Sequence, residues 1–235
     1  MIYVITGPTG VGKTRLSISL AKQLDAIIIN ADSMQVYKEL NIGTAKIKKE
    51  EMEKIDHFLF DIRSINDDFN AFEYQKMGRN LLNKYKDKNI IIVGGTGLYI
   101  KALLYDYKFN EENEEVKKLY DFKLIGLTRD RANLYKIINN RVDQMIKEGL
   151  LDEAKALYEN NKNARALNFA IGYKELFDYF DGNDTLESAI EKIKQNSRHY
   201  AKRQYTFFNN QFDNISWYDV DKLSYEDIVD KIIVK

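Results

Sequence analysis

The sequence predicts an α/β fold: a parallel sheet flanked by helices on both faces, followed by a mainly helical part. Three observations carry this. Short runs of residues that are apolar on both faces alternate with helix-length stretches, the pattern of strands covered on both sides. A glycine-rich turn joins the first run to the first helix. Beyond residue 128 the apolar spacing becomes almost wholly helical.

The elements follow in order. Ile2–Thr6 reads as a strand, and "KTRLSISLAKQL" after the glycine turn as a helix. Ala26–Asn30 is a second apolar run, followed by "ADSMQVY". "HFLFDI", His57–Ile62, is a weaker run. Ala71–Tyr85 has helical spacing. "NIIIVGG", Asn89–Gly95, reads as another buried strand, and "DFKLIGLT", Asp121–Thr128, as the next. Asp130–Gly149, Leu151–Asn160 and Asp184–Gln211 then read as helices, the last opened by a capping-box-like pair, Asp184 and Glu187. "NISWYDVD" predicts a short final strand and Tyr225–Val234 a final helix. "NEENEEVKK", Asn110–Lys118, reads as a solvated connection. There is no repeat and no linker, so the 235 residues form one domain, with residues 129–212 as its mainly helical part.

Composition narrows the function. Lys+Arg and Asp+Glu are both 36, so the formal net charge is zero and any contact with nucleic acid needs a local basic patch. The absence of cysteine excludes disulfides, thiolate zinc sites and cysteine nucleophiles, and two histidines are too few for a histidine-rich metal centre. A buried strand from the second residue leaves no room for a signal peptide, and no run spans a bilayer. The expectation is a cytoplasmic protein, monomeric by default.

"GPTGVGKT", Gly7 to Thr14, has the spacing G-x-x-x-x-G-K-T between a strand and a helix. Such a loop turns backbone N–H groups toward phosphate oxygens, and the helix N-terminus adds its positive dipole end. The diphosphate- or nucleotide-binding residues are therefore Gly7, Pro8, Thr9, Gly10, Val11, Gly12, Lys13 and Thr14. Lys13 brings charge to the phosphates and Thr14 can ligate Mg²⁺. A kinase would add an acid at the end of a neighbouring strand and a short arginine-rich lid; "NIIIV" instead ends in Gly94, Gly95 and Thr96, and no such lid is apparent.

An acid lies just past the second strand. Ligands of open α/β sheets sit outside the carboxyl ends of strands, so Asp32 could face the same pocket as Lys13. There it could bind Mg²⁺ or accept a proton; on spacing alone "DS" is equally an Asx turn. "GGTGLY", Gly94–Tyr99, permits close backbone approach and offers the Thr96 hydroxyl, or is simply a tight strand-to-helix turn.

Taken together, "GPTGVGKT", "DSMQVYKELNIGTAK", "DHFLFDI", "VGGTGLYIKALL", "AIGYKE" and "YAKRQYTFF" occur in the order seen in the tRNA dimethylallyltransferases, also called tRNA isopentenyltransferases. The chain resembles that family from Ile2 to about Leu104 and again from about Leu124 to about Trp217. The resemblance implies a P-loop NTPase-like, nucleotide-kinase-like core in which the loop holds the diphosphate of dimethylallyl diphosphate, with Mg²⁺. It implies that the exocyclic amine of the adenosine 3′ of the tRNA anticodon attacks the allylic carbon. Asp32 would be the general base, with Lys13 and Thr14 stabilising the leaving group and Lys174 of "GYKE" helping to hold it; a solvated surface lysine is the plainer reading of Lys174. Ser33, Met34, Gln35 and Thr96 would meet the target region of the tRNA. "RHYAKR" would supply further tRNA contacts from Arg198, His199, Tyr200, Ala201, Lys202 and Arg203, in a basic stripe with Lys192 and Lys194 upstream. His199 stands where the family usually has glutamine.

Longer members of that family carry a helical, arginine-rich insertion after the "GGTGLY" helix. Here only a reduced segment, residues 105–120, occupies that place. The resemblance implies an intact core with part of the RNA-recognition apparatus absent. Transfer to a free adenylate, a small-molecule P-loop kinase and a non-catalytic RNA-binding module stay open as alternatives.

Overall fold

The computed structural model describes residues 1–109 and 116–234. Six strands, β1 (Ile2–Thr6), β2 (Ile27–Asn30), β3 (His57–Phe58), β4 (Ile90–Val93), β5 (Phe122–Thr128) and β6 (Ser216–Asp219), form one sheet in the order β3-β2-β4-β1-β5-β6. Every pairing in it is parallel. Parallel pairing demands crossovers, and these are α1 (Lys13–Leu24), the largely irregular segment 31–56 between β2 and β3, α2 (Ala71–Lys84), α3 (Gly97–Leu104) and the helical part after β5.

Alternation along the strands assigns the two faces. Tyr3, Ile5, Ile28, Ile91, Val93, Ile125 and Leu127 pack under α1 and the last helix, α9 (Tyr225–Val234). Val4, Ile27, Ile29, Ile90, Ile92 and Leu124 pack under α2 and α3. A third core lies within the helical part: α4 (Arg131–Lys147), α5 (Leu150–Asn161), α6 (Arg165–Phe169), α7 (Phe177–Phe180) and the first half of α8 (Leu186–Gln211). Val36, Tyr37 and Leu40 from the segment after β2 enter that core, so the helical part is seated against the strand ends.

Most boundaries fall where the apolar periods place them. "HFLFDI" yields only a two-residue strand, because Leu59 and Asp61 take positive φ and turn the chain away. Helix α8 is capped by Thr185, whose hydroxyl accepts from Ser188 N–H at 3.2 Å, and not by Asp184. Asp184 instead accepts from Thr185 N–H at 2.9 Å and pairs with Lys192. The first six residues of the acidic connection, residues 110–115, lie outside the described residues. Among the described residues no helix is long and apolar enough to cross a membrane.

Candidate active site

The site is assembled at the carboxyl ends of β1, β2 and β4, where three loops meet α4 and α8. The first loop follows β1. Gly7, Gly10 and Gly12 have φ of 137°, 79° and 107°, values that side chains resist, and they coil the chain into a cradle at the start of α1. Lys13 and Thr14 open that helix. The Lys13 ammonium folds back to donate to the carbonyls of Gly7 (3.0 Å) and Pro8 (2.9 Å). Val11 is buried in the core and offers only its backbone.

The second loop follows β2. Asn30 braces it, accepting from Asp32 N–H at 3.1 Å and donating to the carbonyl of Leu59 at 3.0 Å. Asp32 makes the Asx turn that its spacing allows: Oδ1 accepts from Met34 N–H at 2.9 Å. This does not remove it from the cavity, which it also lines. The third loop follows β4. Thr96 stands at the N-cap of α3, but its hydroxyl does not cap the helix; it accepts from Ser33 N–H at 3.1 Å and so ties the second loop to the third.

Two cavities meet here. One, of about 390 Å³, is lined by Gly10, Gly12, Lys13, Thr14 and Gln35, with apolar walls from Ile28, Ile47, Phe60 and Ile137. The other, of about 280 Å³, is lined by Ser33, Met34, Lys174, Tyr200 and Arg203, with Ile138, Val142, Met145 and Ile193 as its apolar side. Thr9, Asp32, Thr44 and Arg141 line both, so they form the junction. Lys174 thus faces the second cavity, while Lys13 and Thr14 face the first.

Electrostatics at the junction are lopsided. Burial drives the Lys13 ammonium down to about 8, against the pull of Asp32 and helped by Arg141. Arg141 is lowered by burial too, again opposed by Asp32. Two desolvated cations around one carboxylate leave surplus positive charge, which an anionic ligand would satisfy. Arg141 donates to the Thr9 hydroxyl at 3.2 Å. It escaped the sequence reading because "NNRVDQM" has no motif of its own; only the packing of α4 against the strand ends brings it to the phosphate loop.

The expected RNA-contacting residues divide. His199, Lys202 and Arg203 line a groove on the outer side of α8, together with Thr206 and Phe207. Tyr200 faces inward, its hydroxyl pushed well above the usual phenol range by burial, with Asp32 adding to it. Ala201 is 1% exposed inside the sheet-facing core and presents nothing to a partner, which corrects its place among the contacts. Arg198 donates to Asn139 of α4 at 2.6 Å. The upstream lysines leave the stripe: Lys192 is held by Asp184 at 2.8 Å and Lys194 by Asp143 at 2.7 Å.

Comparison with known proteins sets this geometry in a family. The model of the family described as "IPP transferase" matches residues 35–121 and 108–211 of the chain. The chain belongs to the IPP transferase family. The two matched pieces overlap over residues 108–121, between α3 and the start of β5. A tRNA dimethylallyltransferase of Anoxybacillus flavithermus is 42% identical, covering 99% of this chain and 94% of its own. That alignment runs over 296 positions although the chain has 235 residues, so the relative carries residues with no counterpart here. It extends over the phosphate loop and Asp32, which precede the family-model match.

Solved structures agree. A tRNA delta(2)-isopentenylpyrophosphate transferase from Staphylococcus epidermidis superposes with a TM-score of 0.91 at 34% identity, covering 99% of this chain and 97% of its own. A full-length tRNA isopentenylpyrophosphate transferase from Bacillus halodurans gives 0.90 at 35%, covering 99% and 95%. Both structures therefore share the fold of this chain over 99% of its length.

Proposed function

We propose that this protein transfers the dimethylallyl group of dimethylallyl diphosphate to the exocyclic N6 amine of the adenosine 3′ of the anticodon in tRNA, releasing diphosphate. It would act as a monomer among cytoplasmic tRNAs. The observation that carries the chemistry is the junction itself: Lys13 and Arg141, both desolvated, flank Asp32 where the phosphate-loop cavity opens into the second one.

In the step proposed, the amine nitrogen bonds to the allylic carbon, the carbon–oxygen bond to diphosphate breaks, and the electron pair leaves with the diphosphate. Asp32 takes the proton that the amine loses. Lys13, Arg141 and the loop amides meet the charge growing on the leaving group, and fixed donors in a desolvated site stabilise that charge more in the transition state than before it. Thr14 lines the cavity beside Lys13, and its hydroxyl is a hard oxygen that suits Mg²⁺, an ion that takes few protein ligands and relies on phosphate and water for the rest. Bound there, Mg²⁺ would supply further neutralisation of the diphosphate.

The acceptor would approach along α8. His199, Lys202 and Arg203 offer phosphate contacts, and the target base would leave its stack to reach Asp32 through the second cavity, beside Met34 and Ser33, which Thr96 braces. Ala201 takes no part. Lys174, lining the second cavity, would meet the acceptor side or the outer end of the diphosphate.

The test supplies labelled dimethylallyl diphosphate and Mg²⁺ with tRNA and, in competition, adenosine monophosphate. Label entering tRNA is expected. Label entering only the mononucleotide would move the activity to free adenylate, and label in neither would remove the prenyl-transfer reading.

A further inference from the structure

Gln204 of α8 is 4% exposed and interacts with the Tyr200 hydroxyl one turn before it. Its side chain reaches main-chain atoms of two loops far apart in sequence. Nε2 donates to the carbonyl of Gly95 at 3.1 Å, and Oε1 accepts from Thr9 N–H at 2.8 Å. An amide has one donating and one accepting end, so the Gly95 bond orients the oxygen toward Thr9. Gly95 has to be glycine for this approach, since a Cβ there would run into the Gln204 amide.

Thr9 is where this matters. It lines both cavities, and its hydroxyl accepts from Arg141 at 3.2 Å. Its N–H, turned to Gln204, is withdrawn from the phosphate cradle. A relay therefore runs from α8 through Gln204 to Thr9 and on to the guanidinium of Arg141. The neighbouring Arg203 lies in the outer groove and also lines the second cavity.

We propose that Gln204 is a positioning residue for the transfer reaction: by fixing Thr9 against the Gly95 carbonyl it sets the place of Arg141 at the leaving diphosphate, and it ties that place to the helix that meets the acceptor RNA. The proposal rests on the reading of the junction given above. Its effect falls on kcat, because a guanidinium misplaced by a fraction of an ångström still attracts the ground-state diphosphate but no longer meets the charge that develops.

The test is a double-mutant cycle on the full chain. Gln204→Leu keeps the side-chain bulk and removes the hydrogen bonds to Thr9 and Gly95 together with the one to Tyr200. Expected is a kcat for prenyl transfer lower by roughly 10- to 100-fold, with the dissociation constants of tRNA and of inorganic diphosphate within about threefold of wild type. In an Arg141→Ala background the same change should cost less than about threefold, since the relay is already broken. Thr9→Val, which leaves α8 untouched and removes only the hydroxyl facing Arg141, should show the same split and keeps the test open should Gln204→Leu fail to fold. A kcat for Gln204→Leu within about twofold of wild type, losses that multiply in full with Arg141→Ala, or an unaltered Thr9→Val would each overturn the proposal. An inactive wild-type protein would instead overturn the function proposed for the site, so the two failures are told apart.

Discussion

Lys13→Met should change the pH dependence of stability in a defined way. Met keeps most of the side-chain length and removes the charge. In the folded protein burial holds the ammonium at about 8, against 10.5 when exposed. That difference corresponds to about 3 kcal/mol by which the fold disfavours the charged form. Below pH 8 both folded and unfolded chains carry the proton, and the full penalty is present. Between pH 8 and 10.5 the unfolded chain binds more protons than the folded one, so stability rises with pH; above 10.5 the penalty is gone. Other lysines titrate alike in both proteins and cancel in the difference. The unfolding free energy of wild type minus that of Lys13→Met should therefore rise by about 3 kcal/mol between pH 7.5 and 10.5. Urea denaturation of both proteins at a series of pH values measures it. Diphosphate with Mg²⁺ at pH 7.5 should stabilise wild type and leave the variant nearly unmoved. A difference that is flat with pH, or that falls, would refute the burial of a charged Lys13 at the junction.

Further outcomes follow from the same geometry. The kcat/KM for the prenyl donor should fall about tenfold per pH unit above pH 8, as Lys13 of the unliganded enzyme loses its proton, and kcat should hold to higher pH because bound diphosphate retains that proton; steady-state kinetics from pH 6.5 to 10 check this. Asp32→Asn keeps the acceptor for Met34 N–H, so it should preserve donor binding and lower single-turnover transfer by roughly 10²- to 10⁴-fold. Lys202→Ala and Arg203→Ala should each reduce the salt slope of tRNA binding by about one, whereas Lys192→Ala and Lys194→Ala, already paired with carboxylates, should leave it unchanged in filter-binding titrations.

Much of the fold was legible because its signals are local. Strands buried on both faces read as unbroken apolar runs, and β1 and α9 fall on the residues that their periods mark. The glycine loop was legible for the same reason: positive φ at Gly7, Gly10 and Gly12 has few other sequence solutions. What depends on tertiary packing was not. Arg141 and Gln204 sit on α4 and α8 and acquire meaning only when those helices are laid across the strand ends. Lys192 and Lys194 read as part of a basic stripe until Asp184 and Asp143 are seen to face them. Ala201 lies inside the contact block but on the inner side of its helix, where a quarter-turn separates a surface residue from a core one. Asp32 shows that two readings of one residue can both hold, since one oxygen closes an Asx turn while the side chain still lines the junction.

The decisive measurement is the product of a reaction containing only the protein, tRNA, Mg²⁺ and dimethylallyl diphosphate. Nucleosides from the digested tRNA are analysed by mass spectrometry, and released diphosphate is counted in the same sample. Expected is an adenosine carrying one five-carbon prenyl group on N6 at the site 3′ of the anticodon, one diphosphate per group, and no requirement for a nucleoside triphosphate. Unmodified tRNA, or product that forms only when ATP is supplied and consumed, would contradict a phosphate loop that grips a departing diphosphate.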